Sequence, residues 1–330
     1  MTAFHGWIVR KEDGANTATL EALDTNGLDD LDTTVRVRYS SINYKDALAL
    51  HGRPGVIRRT PLIPGIDLTG EVIETRHARW KPGDVVTLSG AGLGEDLHGG
   101  LAGIARVNGD DLVPVPDTFT PAQAAALGTA GFTAALALLA LERHGLTPGD
   151  GPLLVTGASG GSGSIAVALS SRSGYRVVAA TGRPEQLRDR LTGLGAAEII
   201  DRAELQTQTR PLGTQRWAGV IDSAGGAVLA GALATLQQGA AAAAFGLAAG
   251  SQLPTTVLPF ILRGVSLLGI DSVRTNPVLR QAAWERLARD LDPAHLDAVT
   301  RAVPLDQAKT AASALLEGRG TGRTVVEVTP

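Results

Sequence analysis

Glycines in one short stretch of this sequence have the spacing of a phosphate-binding turn. They stand at positions 157, 160, 161 and 163, between the apolar run 153–155 and an apolar helical segment. Glycine lets the backbone turn sharply and approach a bound group, and the free N–H groups and dipole of the following helix favour negative charge. The spacing G-x-x-G-x-x-G is related to the dinucleotide fingerprint and predicts a pyrophosphate site. The residues predicted to line it are Ser159, Gly160, Gly161, Ser162 and Gly163.

Two other interpretations of the same turn have to be weighed. A nucleoside-triphosphate P-loop would end in Lys-Ser or Lys-Thr, and this turn does not, which disfavours that class. Residues 157–161 also match G-x-S-x-G, the nucleophile elbow of α/β-hydrolases, with Ser159 as the nucleophile. A serine hydrolase needs a histidine further along the chain, and the only one after Ser159 is His295, in a polar run. The hydrolase therefore remains a minor alternative.

The next strand candidate supports the dinucleotide interpretation. It covers residues 176–180 and is followed by Thr181, Gly182 and Arg183. NAD-preferring sites place Asp or Glu at the end of this strand to bind the ribose 2′-hydroxyl, and no acid stands here. A hydroxyl, an open backbone and a guanidinium are instead suited to a 2′-phosphate. The sequence therefore predicts NADPH as the cofactor, selected by Arg183; the alternative is that Arg183 only begins the next helix.

Length and composition narrow the class of protein. The 330 residues suffice for about two domains, and the net charge of -3 gives no electrostatic case for nucleic acid or an anionic membrane. No cysteine is present, which excludes disulfides and thiolate zinc ligands. The N-terminus lacks an apolar signal core, and the longest apolar run, 134–141, is too short to span a bilayer. A cytoplasmic protein is therefore expected.

The pattern of turns and apolar runs divides the chain into a β-rich part and an alternating part. Up to about residue 120, short strand candidates are separated by frequent turn signals, which predicts a small irregular barrel. From 150 to about 270, strands and helices alternate, which predicts a doubly wound parallel sheet. The strand candidates are 153–157, 176–180, 197–200, 218–222, 240–245 and 265–270. The last is apolar and lies at the expected sheet edge, so it predicts a homodimer with a continuous sheet.

A helix is predicted to join the two parts. It begins at Pro121, is interrupted at 128–131 and resumes up to Arg143. The interruption either packs tightly against a neighbour or brings Thr129 to a cofactor. Further predicted elements are helices over 277–290 and 306–316 and a closing strand near 324–328 that returns to the barrel.

In their order along the chain, these segments resemble the medium-chain dehydrogenase/reductase superfamily. More narrowly, they resemble its zinc-free quinone oxidoreductase branch and, within it, the NADPH-dependent acryloyl-CoA reductases. The resemblance implies an α/β fold, with a GroES-like β-barrel domain over 1–122, completed by about 272–330. It also implies a Rossmann domain, a doubly wound parallel sheet that binds NADPH, over 123–271. The segments that carry the resemblance are 39–46, 64–70, 128–134, the glycine turn, 181–183, 268–273 and the C-terminal Gly-Arg-Thr-Val-Val.

Departures from the family pattern narrow the chemistry. Zinc-dependent members carry Gly-His-Glu where this chain has Gly65-Ile66-Asp67, and thiolate ligands where it has no cysteine, so no metal is expected. Without that Lewis acid, the remaining chemistry is hydride addition to an activated C=C bond or to a quinone. Enoyl-thioester reductases of the superfamily have a catalytic tyrosine where this chain has Pro54, so that particular proton donor is absent here.

The resemblance also implies site residues. Asn43, Tyr44 and Asp46 are expected to face the nicotinamide, Asn43 as a donor to the cofactor ribose or substrate carbonyl, and Tyr44 as a proton donor or pocket wall. From the residues alone, 43–46 is instead a helix start. Arg323 is expected to pair with Asp46 or reach the cofactor, unless it is a solvated turn residue. Further expected cofactor contacts are Thr129, Gly246, Ile270, Asp271, Ser272 and Arg202, the last as a second candidate for the 2′-phosphate.

The expected function is NADPH-dependent reduction of acryloyl-CoA to propanoyl-CoA, with an NADPH:quinone oxidoreductase as the first alternative. A non-catalytic NADPH sensor is a further alternative. CoA carries phosphates, so its enzyme needs cations near the cleft, and Arg53, Arg58 and Arg59 cluster directly after the expected active-site segment. The alternative for this cluster is a solvated loop.

Overall fold

The computed structural model describes residues 2–208 and 210–329, which form two compact units. The first unit contains the chain through Phe132, then Ser272–Ala288, and then the chain from Leu296 onward. The second unit contains Thr133–Asp271 and Arg289–His295. The N-terminal boundary between the units falls inside a long helix.

Strands predominate in the first unit and alternate with helices in the second. In chain order the strands are β1 (Ala3–Glu12), β2 (Ala15–Asp24), β3 (Thr33–Ser41), β4 (Asp67–Thr75), β5 (Val85–Ser89), β6 (Ile104–Val107), β7 (Val113–Pro114), β8 (Leu153–Thr156), β9 (Val177–Thr181), β10 (Glu198–Asp201), β11 (Trp217–Asp222), β12 (Leu236–Ala244), β13 (Ser266–Gly269), β14 (Thr300–Pro304) and β15 (Arg323–Glu327). The helices are α1 (Tyr44–Leu50), α2 (Pro121–Arg143), α3 (Gly161–Arg172), α4 (Pro184–Gly193), α5 (Ala203–Gln206), α6 (Gly226–Ala234), α7 (Leu258–Arg263), α8 (Pro277–Asp290), α9 (Pro293–Asp297) and α10 (Ala308–Leu316).

The hairpin formed by β1 and β2 is not among the elements that the sequence predicts. The two strands pair antiparallel, and Asp13 and Gly14 connect them with φ of 49° and 84°. Two positive φ angles are typical of the type I′ turn, for which Asp-Gly is a preferred dipeptide. The turn signal was therefore present, but most of β2 is exposed and lacks the apolar alternation by which strands are recognised.

The large sheet of the first unit brings several strand ends together. Its order is β14-β15-β3-β4-β5-β7, with β6 also pairing with β3. β15 pairs antiparallel with β3, so the closing strand returns to the β-rich part as predicted, whereas β14 has no counterpart among the strand candidates. Because β3 is antiparallel to both of its neighbours, its end lies beside the starts of β4 and β15. Ser41, Asp67 and Arg323 occupy these three ends.

Helix α2 is bent where the sequence predicts an interruption, but at one residue rather than four. Gly128 has φ 41° and ψ -149°, and 129–131 are helical. A Cβ at Gly128 would clash with the carboxylate of Asp67, so both the backbone angle and the close contact require glycine. By length and composition α2 could cross a membrane, yet 83% of its most apolar window is buried within the protein. That burial is the pattern of a core helix.

The second unit contains a parallel sheet in the order β10-β9-β8-β11-β12-β13. All of the strand candidates between 153 and 270 are confirmed, and each neighbouring pair is parallel. The strand order reverses between β8 and β11, and ligands of doubly wound sheets bind outside the carboxyl ends of the strands at this point. β13 is at the edge of the sheet, as predicted.

Candidate active site

Helix α1 begins at the segment 43–46 that the sequence singles out. Asn43 is its N-cap, and Oδ2 of Asp46 accepts a hydrogen bond from the Asn43 backbone N–H at 2.8 Å, as in a capping box. Oδ1 of Asp46 accepts from the Ile66 N–H at 2.8 Å, so this fully buried side chain also ties α1 to the segment before β4. The helix-start interpretation is therefore right, but the contacts continue into a buried network.

Asp67 is the centre of that network. Its Oδ2 accepts hydrogen bonds from the Ser41 hydroxyl and the Asn43 amide, each at 2.6 Å. Its Oδ1 accepts from both the N–H and the hydroxyl of Thr129, each at 2.7 Å. Thr129 directly follows the bend at Gly128, so the bend in α2 serves this contact. We call the six residues Ser41, Asn43, Asp46, Asp67, Thr129 and Arg323 the carboxylate network.

Arg323, the first residue of β15, supplies the cation of the carboxylate network. It donates to the Ser41 hydroxyl at 2.7 Å, to the Asn43 side-chain oxygen at 3.0 Å and to the Ala126 carbonyl at 2.6 Å. Its Nη2 lies 3.9 Å from Oδ2 of Asp67. Arg323 is only 4% exposed, which contradicts the alternative of a solvated turn arginine. Its direct ion-pair partner is Asp67 rather than the expected Asp46.

One guanidinium faces two buried carboxylates in this network. Burial, and then the neighbouring charge of Asp67, raise the pKa of Asp46 to about 7, although hydrogen bonds from Asn43 and Ile66 lower it. Burial lowers the pKa of Arg323, while the Asp67 and Asp46 carboxylates raise it. The guanidinium stays charged at neutral pH, since arginine does not lose its proton in proteins. Asp46 is therefore the acid of the network that exchanges a proton near neutral pH.

The hydrogen bonds leave Asn43 no donor for a substrate. Both hydrogens of its amide are directed at carboxylates, Asp67 at 2.6 Å and Asp46 at 3.1 Å. Tyr44, the next residue, is 53% exposed and makes no hydrogen bond with the described part of the chain. Thr129 is partly exposed, while its hydroxyl contacts the buried Asp67. Tyr44 is thus the most accessible side chain of the segment 43–46, while Thr129, like Asn43 and Lys45, is only partly exposed.

In the second unit, the glycine turn follows β8 and leads into α3, whose N-cap is Gly160. Gly157 has φ 59°, and its carbonyl accepts from the Gly160 N–H at 2.9 Å. A Cβ at Gly163 would clash with the same carbonyl, so the tight turn requires glycine there. The N–H groups of the first helical turn, at Gly161, Ser162 and Gly163, have no intrahelical acceptor and favour an anion.

Thr181 ends β9 beside this turn. Its hydroxyl donates to Ser159 at 3.3 Å and accepts from the Arg183 N–H at 3.4 Å. The Arg202 guanidinium lies over the backbone of Gly182, where an added Cβ would be 2.9 Å from its Nε. The structure therefore places Thr181, Arg183 and Arg202 at one end of neighbouring strands.

The contacts of Ser159 do not support the hydrolase alternative. Its only hydrogen bond within the described ranges is the one from Thr181. His295 lies in α9 and makes no hydrogen bond to Ser159. Without an adjacent base, a serine hydroxyl is not an activated nucleophile.

The remaining expected cofactor residues lie near the carboxyl ends of β12 and β13. A Cβ at Gly246 would clash with the Ser223 carbonyl, and the Ile270 N–H donates to the Ala244 carbonyl at 3.0 Å. Asp271 is the last residue of this stretch of the second unit. Ser272 belongs to the first unit, where its carbonyl oxygen would lie 2.8 Å from a Cβ at Gly90.

Sequence reasoning missed several buried polar residues, among them Ser41 and Asp67. The signal for Asp67 was its position, since it is an acid retained where zinc-dependent members have the Glu of Gly-His-Glu. In the second unit, Asp222 was also missed; it accepts from the Thr156 hydroxyl at 2.5 Å and the Gly225 N–H at 2.8 Å. Burial raises the pKa of Asp222. Asp222 ends the otherwise apolar strand β11, and an acid at that position is a sequence signal for a buried polar residue.

Histidines and acids do not form a metal site in residues 2–208 and 210–329, where no group of three or more potential ligands converges. His98 is buried, accepts from the Ile63 N–H at 3.1 Å, and has its pKa lowered by burial. His51 bonds to the Ala47 carbonyl and the Ser313 hydroxyl, each at 2.9 Å. His98 thus holds the backbone at Ile63, and His51 links α1 to α10.

The arginines that follow α1 differ in how they are paired. Arg59 contacts Asp29 at 2.5 Å and the Asp96 carbonyl. Arg58 lies 3.7 Å from Glu95, whose other oxygen is 2.6 Å from Lys45. Arg53 is exposed and has no ion-pair partner in the part of the chain that the structure describes. Arg53 is therefore the cation of this loop that is most available to a ligand.

Comparison with known proteins places this architecture in a family. Residues 29–117 match the alcohol dehydrogenase GroES-like domain, and residues 161–289 match the zinc-binding dehydrogenase domain. Acrylyl-CoA reductase AcuI of Ruegeria pomeroyi is 48% identical over 98% of this chain and 99% of its own length. The chain belongs to the medium-chain dehydrogenase/reductase superfamily.

Two further relatives narrow the comparison. The crystal structure of the YhdH oxidoreductase from Salmonella enterica in complex with NADP has a TM-score of 0.95 and 46% identity, covering 98% of this chain and all of that one. The putative quinone oxidoreductase YhfP of Bacillus subtilis is 43% identical over 94% of both chains. Its structure with NAD bound has a TM-score of 0.94 and 41% identity, covering 99% of this chain and 100% of that one. The resemblance to the acryloyl-CoA reductase and quinone oxidoreductase group is thus confirmed.

Proposed function

We propose that this protein catalyses the NADPH-dependent reduction of acryloyl-CoA to propanoyl-CoA. The observation that carries the proposal is the 48% identity, over nearly the whole of both chains, to the acrylyl-CoA reductase of Ruegeria pomeroyi. The carboxylate network supports it, because this network fills with hydrogen bonds the region where zinc-dependent members carry a metal motif. The chemistry then has to act on a bond that is already activated, such as the C=C of an enoyl thioester.

The geometry of the second unit supports NADPH as the cofactor. A Cβ at Gly163 would clash with the Gly157 carbonyl, so the glycine turn is tight and presents the N–H groups that start α3. Arg183 after β9 and Arg202 after β10 suit a 2′-phosphate. When bound, NADPH supplies the hydride. We assign Ser159, Gly160, Gly161, Ser162 and Gly163 to the pyrophosphate. Thr181, Arg183 and Arg202 are assigned to the adenosine phosphate, and Gly246, Ile270, Asp271, Ser272 and Thr129 to the remainder of the cofactor.

In the first unit, the carboxylate network is proposed to set the geometry of the reaction site. Asn43, Asp46 and Arg323 act as positioning residues, since their polar atoms are engaged with one another. Tyr44 is exposed and is the proposed contact for the substrate oxygen, on which negative charge develops. Asn43, expected as that donor, is assigned to the supporting role instead.

A quinone is the second candidate acceptor. The observation in its favour is the 43% identity to the putative quinone oxidoreductase YhfP. A quinone needs no cationic contacts for CoA phosphates, so the exposed Arg53 favours the CoA ester.

Turnover of a matched acceptor panel tests the proposal. The purified protein is mixed with NADPH and, separately, acryloyl-CoA, crotonyl-CoA or a simple quinone, and loss of nicotinamide absorbance is followed. We expect the highest kcat/KM with acryloyl-CoA, because a small acyl group needs a tight pocket. Faster turnover of quinones would replace the assignment by the second candidate. Tight NADPH binding without turnover of any acceptor would identify a sensor.

We also propose that the protein is a homodimer that pairs through β13. β13 lies at the edge of the sheet and leaves Leu267 39% exposed, and the preceding helix α7 exposes Ile261 and Leu262, at 68% and 61%. Unprotected edges of this kind pair with their symmetry mates. We expect a dimeric mass by light scattering at micromolar concentration and a monomeric mass for Leu267→Glu. A monomeric unmodified protein would contradict the assembly.

A further inference from the structure

Three arginines, one just before α4, one within α4 and one just after β10, lack a carboxylate partner. The guanidinium groups of Arg183, Arg190 and Arg202 form no ion pair and donate no side-chain hydrogen bond within residues 2–208 and 210–329. We call these three residues the arginine cluster. Like charges held together without a counterion repel each other, so such a cluster favours the binding of an anion.

Backbone geometry brings Arg183 and Arg202 together. β9 and β10 are parallel neighbours with Thr181 opposite Asp201, so the next residues, Gly182 and Arg202, leave the sheet side by side. The Arg202 N–H donates to the Thr181 carbonyl at 2.9 Å, which fixes its backbone at this end. Its guanidinium then lies over Gly182, where an added Cβ would be 2.9 Å from its Nε.

Arg190 is the member of the cluster that the sequence does not point to. It lies on α4 seven residues after the N-cap, Arg183, and side chains of a helix tilt back toward its N-terminus. Its Nε and Nη2 are buried and have no hydrogen-bond partner in the described ranges. Burial, and then the positive charge of Arg183, lower the pKa of Arg190. Arg190 is thus a partly buried cation held within the electrostatic field of Arg183.

The acids near the cluster are engaged elsewhere or unpaired. Glu185 bonds to Arg188 at 2.9 Å, and Asp201 accepts from the Ala203 N–H at 2.9 Å. Asp189 forms no ion pair with Arg190 within the described residues. None of these three carboxylates therefore neutralises the cluster.

We propose that Arg190 is a specificity-determining residue for the nucleotide, which acts from behind Arg183 to favour a ligand carrying a 2′-phosphate. Its charge adds to the field around Arg183, and the exposed side chains of Arg183 and Arg202 are free to contact the phosphate. Arg190 is therefore a positioning residue. The inference rests on the proposed use of NADPH and names a residue that the cofactor assignment does not include.

Without a ligand, a partly buried cation with two buried nitrogens that have no protein partner costs stability, because the desolvation of these nitrogens is not repaid. This gives a signature that a merely structural arginine would not show. Arg190→Met, which keeps much of the side-chain volume, should leave the melting temperature of the ligand-free protein unchanged or raise it. The same variant should bind 2′-phosphorylated nucleotides more weakly.

The experiment measures Kd for 2′,5′-ADP, 5′-AMP, NADP⁺ and NAD⁺ by calorimetry, with melting temperatures of the ligand-free proteins. For Arg190→Met we expect a rise of about three- to tenfold in Kd for 2′,5′-ADP and NADP⁺, the size of a partly screened charge effect, and no change for 5′-AMP or NAD⁺. Arg188→Met is the matched control, since Arg188 is on the same helix and already paired with Glu185. The control should change neither the Kd values nor the melting temperature.

Three results would overturn the inference. Equal weakening of phosphorylated and unphosphorylated ligands by Arg190→Met, or a lowered melting temperature, would show a structural role. Unchanged binding in Arg190→Met, combined with weakened NADP⁺ binding in Arg183→Met, would remove Arg190 and leave the cofactor assignment intact. Equal affinity of the unmodified protein for 2′,5′-ADP and 5′-AMP would instead show that the NADPH assignment itself is wrong.

Discussion

The carboxylate network of the first unit and the arginine cluster of the second are both groups of charges, but their hydrogen bonding is opposite. In the network, every atom of the Asn43 amide and both oxygens of Asp67 have protein partners. In the cluster, the guanidinium groups have none among the described residues. A group of buried charges whose members bond to one another holds a fold in one geometry. Charges without a protein partner stay open to a ligand.

The two regions should therefore differ in how the loss of one charge changes the free energy of unfolding. Removing one charge from the network leaves the others buried and uncompensated, so the folded state loses free energy. Removing one charge from the cluster relieves repulsion, so the folded state loses nothing and only the ligand is bound more weakly. The same type of substitution, arginine to a neutral residue, should thus have opposite effects in the two regions.

The largest effect is expected for Arg323→Met, which breaks the network. Loss of one partner of a buried ion pair costs about 3–5 kcal/mol of unfolding free energy. Urea denaturation followed by circular dichroism measures it. The control is Arg319→Met. Arg319 lies in the preceding turn, its side chain is 71% exposed, and it pairs with Glu317. Loss of such an exposed ion pair lowers the unfolding free energy by about 1 kcal/mol at most. Equal losses in the two variants would show that the network does not stabilise the fold.

The next effect is expected in the cluster, for Arg183→Ala. A hydrogen bond to a charged group is worth about 1.5–3 kcal/mol, so NADPH should bind about 10- to 100-fold more weakly while NADH is unaffected. Because Arg183 is exposed, the unfolding free energy should stay unchanged. Titration of nicotinamide fluorescence gives both Kd values. If the unmodified protein binds NADPH and NADH equally, the cluster does not select the cofactor.

The pH dependence of stability sharpens the same contrast. The pKa of Asp46 is about 7 in the folded protein and about 3.9 in an unfolded chain, so between these values the unfolded state releases a proton that the folded state keeps. The contribution of Asp46 to stability should therefore fall by about 1.4 kcal/mol per pH unit from about pH 4 to pH 7 and level off above.

Other groups also titrate, among them Asp222, whose pKa is raised by burial, so the measurement is a difference. Unfolding free energies of the unmodified protein and of Asp46→Asn are compared at intervals from pH 4 to pH 8. The variant lacks the titrating group and should show a more positive slope between pH 4 and pH 7. Parallel curves would mean that Asp46 keeps an ordinary pKa.

The sequence predicted the second unit better than the first, for physical reasons. Its strands are buried on both faces and continuous in apolar residues, and the glycine turn has a backbone geometry that few sequences satisfy. The first unit depends on contacts between residues far apart in the chain. Ser41, Asp67 and Arg323 lie at three strand ends that only the sheet register brings together. No local pattern shows that Asn43 would use its amide on two acids.

Two further features were not predicted from the sequence. One is the hairpin of β1 and β2, and the other is Arg190 of the arginine cluster. The hairpin has a clear turn dipeptide but no strong alternation of apolar residues. Arg190 looks like any charged residue of an exposed helix, and its missing partners are visible only in three dimensions. Local sequence indicates where a chain turns, while the satisfaction of a polar group depends on neighbours from elsewhere.

The smallest effect is expected in the loop after α1, whose arginines are intermediate between network and cluster. Arg59 is paired with Asp29, Arg58 shares Glu95 with Lys45, and Arg53 has no ion-pair partner in the described chain. The sequence alone treated Arg53, Arg58 and Arg59 as equivalent candidates for CoA.

If free charge marks a ligand contact, Arg53→Ala should raise KM for acryloyl-CoA by about two- to fivefold, the value of an exposed charge contact, with kcat unchanged. Arg59→Ala is the matched control and should leave KM unchanged, because its charge is already neutralised. The difference should shrink as salt rises, since screening weakens exposed charges over about 10 Å at 0.1 M. A larger KM effect for Arg59→Ala than for Arg53→Ala would show that pairing does not decide which cations of this loop meet the substrate.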